Sequence, residues 1–337
     1  MLFFGPPRLA TRNLKMLSRM LVLLAALAAA LPSAAWAQAY PSKPVRVVVT
    51  FPPGGTPDIY GRIMAAELQK IWNQPVVVEN RAGASGSIGT DLVAKAAPDG
   101  YTLLFAADAT ITVIPHLLTK LPYDPVRDFA PIVNVAAGPF VLMAHPSFPA
   151  NSVKELIARV RAQPGKISYA SSGAGSQQHL AMESIRTLAG GMDMIHIPYK
   201  GFGQGVADVL ANQVPLIFGG ITASIQLTRS GKLKALGVTS PRRAKALPDV
   251  PAIAETLPGF DITAWYGFMA PAGTSREIVK KIHGDSVSVI RRPDFLERLE
   301  RDGIDPVANS PEEFAAQIRT DLARWAKVVK AAGAKLD

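Results

Sequence analysis

The residues best able to do chemistry lie in three glycine-rich segments, and that chemistry is the binding of an anion. The segments read FPPGGTPD at 51–58, SSGAGSQQH at 171–179 and YKGFGQG at 199–205. Each follows an apolar run typical of a buried strand and precedes a segment typical of a helix. A helix N-terminus offers backbone N–H groups without intrahelical partners, and glycine lets a ligand approach the backbone closely. The three segments therefore predict a site for a small anion.

The first segment contains the start of a helix and one acidic residue. We expect Thr56 to cap this helix, Pro57 to occupy its first position and Asp58 to lie near the positive end of its dipole. We interpret Asp58 as a residue that complements the dipole and braces the loop, rather than as a general base.

Two further residues near the predicted site each allow two interpretations. Asp108 follows a predicted strand, and in a cleft it would repel anions or hold an ammonium group; alternatively, it caps a helix. His179 lies in the first turns of a predicted helix, where it could hydrogen-bond a ligand or pack against its own loop.

Catalytic and metal-binding patterns are absent from the sequence. The chain has no cysteine, which excludes disulfides, thiolate metal sites and a cysteine nucleophile. Its histidines have no paired spacing, and no G-x-S-x-G elbow or phosphate-binding P-loop occurs. The Gly201-x-Gly203 pair lacks the third glycine of a dinucleotide fingerprint, since Val206 stands there. We expect no catalytic residue, no metal and no cofactor. The histidines are His116, His145, His179, His196 and His283.

Residues 1–37 have the composition of a signal peptide. Basic residues precede the apolar run 20–31, which is shorter than the roughly 20 residues that span a membrane. The tripeptide AWA at 35–37 fits the cleavage pattern and predicts cleavage after Ala37. An uncleaved membrane anchor is the alternative, which this pattern disfavours. We therefore expect export to the periplasm.

The charge of the chain favours anionic solutes over nucleic acid. The formal net charge is +10. The predicted signal removes four basic residues and no acidic ones, so the rest stays basic. Basic residues are scattered and aromatic content is low, which argues against a nucleic-acid surface. The densest basic group, at 242–245, is interpreted as a solvated loop.

Strand-type and helix-type segments alternate along the rest of the chain. The strand-type runs are 45–51, 76–79, 102–106, 132–144, 167–171, 194–199, 214–218, 233–239 and 262–269. The helix-type segments are 57–72, 86–97, 153–162, 176–188, 205–211, 275–290, 293–301 and 311–331. Ser152, with Glu155 three residues later, predicts a capping box before 153–162, and Ser310 and Gly333 are expected at the two ends of 311–331. This order predicts an α/β fold with parallel-dominated sheets and right-handed crossovers, flanked by helices.

The pattern repeats after residue 150, which predicts two lobes. We expect lobe 1 to comprise 38–140 and 255–337, and lobe 2 to comprise 141–254, with the long apolar runs 132–144 and 233–239 as crossing strands of a hinge. Hinged lobes of this kind close on a solute, as in a Venus flytrap.

A series of short motifs extends over nearly the whole chain after the predicted signal. They are YPSKP (40–44), FPPGG (51–55), PVVVENR (75–81), APDGYTLL (97–104), LPYDP (121–125), DFAP (128–131), HIPYKG (196–201), ALPDVP (246–251) and APAGT (270–274). In this order and spacing, the chain resembles the Bug-type extracytoplasmic solute receptors of tripartite tricarboxylate transporters.

The resemblance implies a two-lobed periplasmic-binding-protein fold that captures a small carboxylate and delivers it to membrane permease subunits. Members hold one carboxylate between loops of the two lobes, largely through backbone groups and small hydroxyls. The ligand would be a dicarboxylate or tricarboxylate, an acidic amino acid or an aromatic carboxylate, and the receptor a monomer. The candidate ligand-binding residues are Phe51, Gly54, Gly55, Thr56, Asp58, Asp108, Ser172, Gly173, Gly175, Ser176, Gln177 and His179.

The sequence departs from the family pattern at several positions. Thr56-Pro57 stands where Ser-Thr is common, Gly219-Gly220 where many relatives carry Asp-Asn, and Asp108 where the residue is often small or apolar. These positions belong to the part of the pocket in which members differ.

Two other functions follow from the same residues. A periplasmic sensor would bind a carboxylate and present it to a signalling partner, and the sequence does not separate it from a transport receptor. A hydrolase is disfavoured because the sequence pairs no nucleophile with a base.

Overall fold

The computed structural model describes residues 40–336, so the predicted signal and its cleavage after Ala37 lie outside the described residues. The strands are β1 (Val45–Val49), β2 (Val76–Asn80), β3 (Thr102–Ala107), β4 (Phe129–Ala144), β5 (Ser168–Ser171), β6 (Ile195–Pro198), β7 (Leu216–Gly220), β8 (Lys234–Val238), β9 (Thr263–Pro271) and β10 (Asp305–Pro306). The α-helices are α1 (Thr56–Trp72), α2 (Ser87–Ala94), α3 (Val153–Ala162), α4 (Gln177–Leu188), α5 (Phe202–Leu210), α6 (Ile221–Arg229), α7 (Arg276–Ile290), α8 (Pro293–Arg301) and α9 (Pro311–Ala332).

The strands form one mixed sheet in the order β2-β1-β3-β9-β4-β7-β5-β6. The outer pairs are parallel, as the β-α-β order predicts, whereas β9 and β4 in the middle run antiparallel to their neighbours. β4 pairs with β9 over its first part, with β7 over 140–144 and with β8 over 141–144. The α/β fold class is confirmed. The prediction of parallel-dominated sheets is wrong for the middle of the sheet, because β4 and β9 pair antiparallel with all their neighbours. β4 connects the two halves of the sheet, and its role in a hinge stays a prediction.

The C-terminal helix packs against both halves of this sheet. α9 contacts β4 and also α4, which follows β5. Its Phe314 belongs to a buried cluster with Trp265 of β9, and the two rings meet edge to face at 4.9 Å. The Trp265 indole N–H donates to the Asp321 carboxylate at 3.0 Å, so the polar atom of this buried ring is paired. This packing sets the ends of β3 and β9 beside α4.

Serine or glycine caps several helix ends, and at Ser310 and Gly333 this was predicted from the sequence. Ser176 and Ser310 accept hydrogen bonds from backbone N–H groups in the first turns of α4 and α9, and Gly333 ends α9 at a φ of 61°. The box predicted before α3 is altered: Ser152 caps the helix, but the Glu155 carboxylate accepts from the N–H of Asn151.

Besides the short strand β10 and the 3₁₀ turns, two elements were not predicted. α6 begins directly after Gly220, and a π-helix over Ala109–Val113 follows β3. Both begin at the end of a strand, on the side of the sheet where the glycine-rich segments lie. In the part of the chain that the structure describes, no helix is both long and apolar enough to cross a membrane.

Candidate functional site

Asp58 braces the first glycine-rich loop from within. Its carboxylate accepts hydrogen bonds from the Gly54 N–H at 2.9 Å, the Asn80 amide at 2.8 Å and the Arg62 guanidinium at 2.9 Å. Burial alone would raise the pKa of Asp58, but these donors outweigh it and lower the pKa. The Asn80 amide also donates to the Phe51 carbonyl at 3.0 Å. Asp58 is thus held as a carboxylate that shapes the loop, as the sequence predicts.

The start of α1 lies one residue earlier than predicted. Gly55, with a φ of −78°, occupies the cap position, and Thr56 is the first helical residue. The prediction that Thr56 caps the helix is therefore wrong, because Pro57 fits equally well one position later in the first turn. No side chain caps this end of α1, and Gly54 and Gly55 are exposed. Asp58 accepts from the Gly54 N–H, but no side chain caps the N–H groups of the first turn of α1.

The second loop is organised by Ser171 and by glycine. The Ser171 hydroxyl, fully buried, accepts from the Gly173 N–H at 3.1 Å and donates to the carbonyl oxygen of Gly173 at 3.0 Å. Gly175 has a φ of 71°, and a Cβ there would lie 2.7 Å from Leu117. Only glycine fits this position. Ser172 and Ser176 on either side are half-buried.

His179 packs against its own loop. Its Nδ1 accepts a hydrogen bond from the Gly175 N–H at 3.0 Å, and its Nε2 lies 3.8 Å from Glu183. Of the two interpretations that the sequence allows, this contact is the one that the structure contains. His179 therefore fixes the shape of the loop, and a contact with ligand stays a proposal.

A stack of rings lies behind the second loop, and the sequence analysis missed it. His179 and His196 stack at 4.0 Å, and Tyr169 stacks on His196 at 5.0 Å. Burial first, and then the neighbouring His179, lower the pKa of His196 to about 4, and burial also lowers the pKa of His179. Both rings are thus neutral near pH 7. The Tyr169 hydroxyl donates to Glu183 at 2.8 Å.

Ser171 and His196 form the nucleophile–base pair that the sequence did not contain as a motif. The Ser171 Oγ lies 2.7 Å from His196 Nε2 because β5 and β6 are neighbouring strands, in register at Tyr169 and His196. The expectation that no nucleophile lies beside a base is therefore wrong. However, Ser171 is fully buried and already bonded to Gly173, and the lowered pKa makes His196 a weak base. The contact between Ser171 and His196 therefore stabilises the shape of the second loop.

Asp108 and Gln177 join the two halves of the sheet at the site. The Gln177 amide nitrogen lies 2.9 and 2.8 Å from the two Asp108 oxygens, and the Thr112 hydroxyl donates to one of them at 3.1 Å. Asp108 makes no side-chain cap to the π-helix that follows it, so the capping interpretation is wrong. Burial first, and then the like charge of Asp321, raise the pKa of Asp108 to about 7.

Thr56 and Tyr266 connect the Asp108–Gln177 contact to the first loop. Tyr266 pairs across the sheet with Ala107, next to Asp108, and is buried. The Thr56 hydroxyl contacts its phenol, although burial dominates and raises the pKa of Tyr266. A Cβ at Gly220 would lie 3.7 Å from the Thr56 hydroxyl oxygen, so the loop after β7 also reaches this point. Tyr266 is a residue that the sequence analysis missed, since it lies within an ordinary apolar strand.

The third glycine-rich segment lies beside the second. A Cβ at Gly173 would lie 3.4 Å from the Tyr199 carbonyl oxygen, and a Cβ at Gly219 would lie 2.6 Å from the Phe202 ring. The Tyr199 hydroxyl donates to Asp208 at 2.6 Å. The absence of a side chain at Gly219 thus makes room for Phe202 at the start of α5.

The helix N-termini of α1, α4, α5 and α6 thus approach one region, which also contains the buried Asp108 carboxylate. Within residues 40–336 no group of three or more His, Asp or Glu side chains is arranged to hold a metal ion.

Known proteins resemble this chain over most of its length. A sequence profile described as "Tripartite tricarboxylate transporter family receptor" (TctC) matches residues 60–334. BugT of Bordetella pertussis is 38% identical over 302 residues, which cover 89% of this chain and 92% of BugT.

Three solved structures are similar as well. The periplasmic binding protein BugD has a TM-score of 0.79 and 36% identity, covering 88% of this chain and 99% of BugD. R. palustris Rpa4515 with adipate has a TM-score of 0.82 and 33% identity, covering 88% of this chain and 99% of that one. MatC of Rhodopseudomonas palustris with bound malate has a TM-score of 0.78 and 32% identity, covering 86% of this chain and 100% of MatC.

Proposed function

We propose a function from one premise: the chain belongs to the tripartite tricarboxylate transporter receptor family. This membership confirms the resemblance predicted from the motifs. The chain is a solute-binding receptor of that family. We infer that it works in the periplasm, binds a small carboxylate without chemical conversion and passes it to the membrane subunits of a tripartite transporter. Relatives crystallised with adipate and malate support a carboxylate as the ligand class.

One observation supports this proposal most strongly. Two glycine-rich loops that begin α1 and α4 approach the same point, where Thr56 contacts Tyr266 and Gln177 contacts Asp108. The Gly54, Gly173 and Gly175 N–H groups already have acceptors within the loops. A carboxylate between the loops would therefore accept hydrogen bonds from the N–H groups of Gly55 and Thr56 on one side and of Ser172 on the other. The positive ends of two helix dipoles would add to its stabilisation.

The anchoring set follows from this arrangement. We propose that the ligand touches the first loop directly, while Asp58 and His179 hold the loops in shape. The proposed contacts are Phe51, Gly54, Gly55, Thr56, Ser172, Gly173, Gly175, Ser176, Gln177 and Asp108.

Capture and release require movement of the two parts that β4 connects. We propose that 38–140 with 255–337 forms one lobe and 141–254 the other, and that the lobes close on the ligand. We also propose that the receptor is exported by a signal cleaved after Ala37 and acts as a monomer. The Asp108–Gln177 contact, which links the two parts, is the contact expected to break on opening.

The proposal is tested by ligand-dependent unfolding. Purified receptor is heated with dicarboxylates, tricarboxylates, acidic amino acids and aromatic carboxylates, and ligand released from the protein as purified is identified by mass spectrometry. A ligand at 100 times its dissociation constant stabilises the native state by about 2.7 kcal/mol, a shift of several degrees that is readily measured. Absence of any shift across the panel, with no ligand released, would contradict the proposal. Conversion of a bound ligand would contradict binding without chemistry.

A further inference from the structure

Asp108 is a buried carboxylate in a site proposed to bind anions. Its exposed fraction is 0%, and the side chains that hydrogen-bond it, Gln177 and Thr112, are neutral. Burial of a carboxylate away from water is costly unless a cation accompanies it. Asp108 forms no salt bridge within residues 40–336, so only hydrogen bonds from neutral groups offset this cost when Asp108 is ionised.

The charged groups around Asp108 do not supply the missing cation. On α9, Asp321 adds a second buried carboxylate, bonded to the Trp265 indole at 3.0 Å. Arg324 acts on Asp108 only at a distance, because its guanidinium pairs with Asp321 at 3.1 Å and lies 3.8 Å from Asp261. Asp321 and Arg324 therefore neutralise each other, and neither supplies a cation bonded to Asp108.

Asp108 also lies where a ligand anchored by the first loop would extend. It is bonded to Gln177, the first residue of α4, and it acts electrostatically on Tyr266, which contacts Thr56 at the first residue of α1. The carboxylate thus lies between the two helix N-termini that would hold a ligand. A negative group deep in such a pocket discriminates between ligands that share an anchoring carboxylate.

We propose that Asp108 is a specificity-determining residue, and that it makes the pocket select carboxylates that also carry an ammonium group over plain dicarboxylates of the same length. The proposal rests on the proposed carboxylate-binding function. The ligand's ammonium group replaces or joins the Gln177 amide at the Asp108 oxygens and supplies the cation that the structure lacks there. A second ligand carboxylate at the same place meets a like charge in a site shielded from water.

Matched ligand pairs test this selection, because their members differ by one ammonium group. The pairs are succinate and L-aspartate, glutarate and L-glutamate, and adipate and L-2-aminoadipate, titrated calorimetrically into the full chain at about pH 8. We expect the amino member of the best-binding pair to bind at least about tenfold more tightly, which corresponds to about 1.4 kcal/mol. In Asp108→Asn the preference should fall by about tenfold or more.

The control variant is Thr112→Val, which removes one hydrogen bond to Asp108 but keeps the charge and the shape. It should keep the preference for the amino member. Circular dichroism and thermal melting check that both variants fold. If Asp108→Asn does not fold, the wild type alone tests the proposal, by its preference for the amino member of each pair and by the pH dependence of that preference.

The possible outcomes separate this proposal from the one it rests on. Equal or tighter binding of plain dicarboxylates by the wild type overturns selection by Asp108 and leaves the receptor function standing. Equal weakening of both members in Asp108→Asn overturns it as well, because that result describes a contact that only holds the two parts together. If no member of the panel binds, both proposals fall.

Discussion

The imidazole rings of His179 and His196 stack in parallel, 4.0 Å apart and inclined by only 2°. Each ring also holds the second glycine-rich loop: His179 accepts from the Gly175 N–H, and His196 is bonded to the Ser171 hydroxyl. Two protonated rings could not share this arrangement without strong repulsion. The stack therefore links the protonation of two histidines to the shape of a loop that is proposed to bind ligand.

Acid should destabilise the protein through this stack. The pKa of His196 falls from 6.5 to about 4 on folding. The unfolded chain thus takes up the proton first, and the stability gained from the neutral ring is complete above about pH 6.5 and lost toward about pH 4. Denaturant unfolding of the wild type and His196→Phe at about pH 7.5 and about pH 5 measures this loss.

His196→Phe keeps an aromatic ring in the stack but cannot be protonated, so its loss of stability on acidification should be smaller. The other charged or titratable groups at the stack are Glu183 and Arg186 of α4 and the partly buried His179, and all three are present in both proteins. An equally large loss in His196→Phe would show that other groups cause the acid sensitivity.

Loss of the Asp58 carboxylate should weaken ligand binding from a distance. Asp58→Ala removes the acceptor of the Gly54 N–H and of the Asn80 amide, and each of these hydrogen bonds contributes about 0.5–1.5 kcal/mol to stability. The first loop then loses its fixed shape, and affinity should fall although Asp58 itself touches no ligand. Asp58→Asn keeps one acceptor oxygen and should have the smaller effect. Urea unfolding and calorimetry measure both changes; wild-type affinity in Asp58→Ala would separate this loop from the site.

Adjacent glycines in the first loop should respond differently to substitution. Gly54 has a φ of 89°, so Gly54→Ala should cost about 1–3 kcal/mol of stability through backbone strain. Gly55 has a φ of −78°, and a Cβ there would make only ordinary contacts with Pro57 and Pro52. Gly55→Leu should therefore fold almost as stably as the wild type but bind ligand at least about tenfold more weakly, because its side chain blocks approach to the backbone. Unchanged affinity in Gly55→Leu would remove this loop from the proposed site.

Ligand preference should depend on pH if Asp108 discriminates between ligands. The pKa of Asp108 is raised to about 7, so acidification from about pH 8 to about pH 6 protonates it. A plain dicarboxylate should then bind more tightly, by up to about tenfold per pH unit for one linked proton, whereas an amino ligand should bind more weakly. The groups that face Asp108 are Gln177 of α4, Tyr266 of β9, and Asp321 and Arg324 of α9.

Calorimetry across this pH range checks the opposed trends, and Asp108→Asn provides the comparison. The variant should have nearly flat profiles for both ligands. Parallel pH trends for the two ligand types, or the same trends in Asp108→Asn, would assign the dependence to another group.

Local patterns in the sequence predict most of the elements, because apolar runs, capping serines and terminal glycines act over a few residues. The strand 102–106, the helix 293–301 and the cap at Ser310 illustrate this. α6 was missed because Gly219 and Gly220 resemble a turn, although here they end β7 and lead directly into a helix. Gly219 is required by the Phe202 ring against it, a contact that no local pattern contains.

The glycine-rich loops of the candidate site were predictable from the sequence, but the side-chain pairs that join them were not. Glycines and a helix start at 51–58 and 171–179 are visible in the sequence. The partnership of His179 with His196 depends on β5 and β6 lying in register, and that of Asp108 with Gln177 depends on the two halves of the sheet meeting. The position of Tyr266 at the site likewise depends on strand register, since its neighbour Ala107 is distant in the chain. Long-range register decides each of these contacts, and one sequence does not reveal it.

The binding of a carboxylate between the first and second loops is tested most directly by a crystal structure of the receptor with its tightest-binding carboxylate. We expect a ligand carboxylate within about 2.7–3.2 Å of the Gly55 or Thr56 N–H in the first loop and of the Ser172 or Ala174 N–H in the second loop. A carboxylate bound elsewhere, or held by only one of the two loops, would show that the two loops do not form the binding site together.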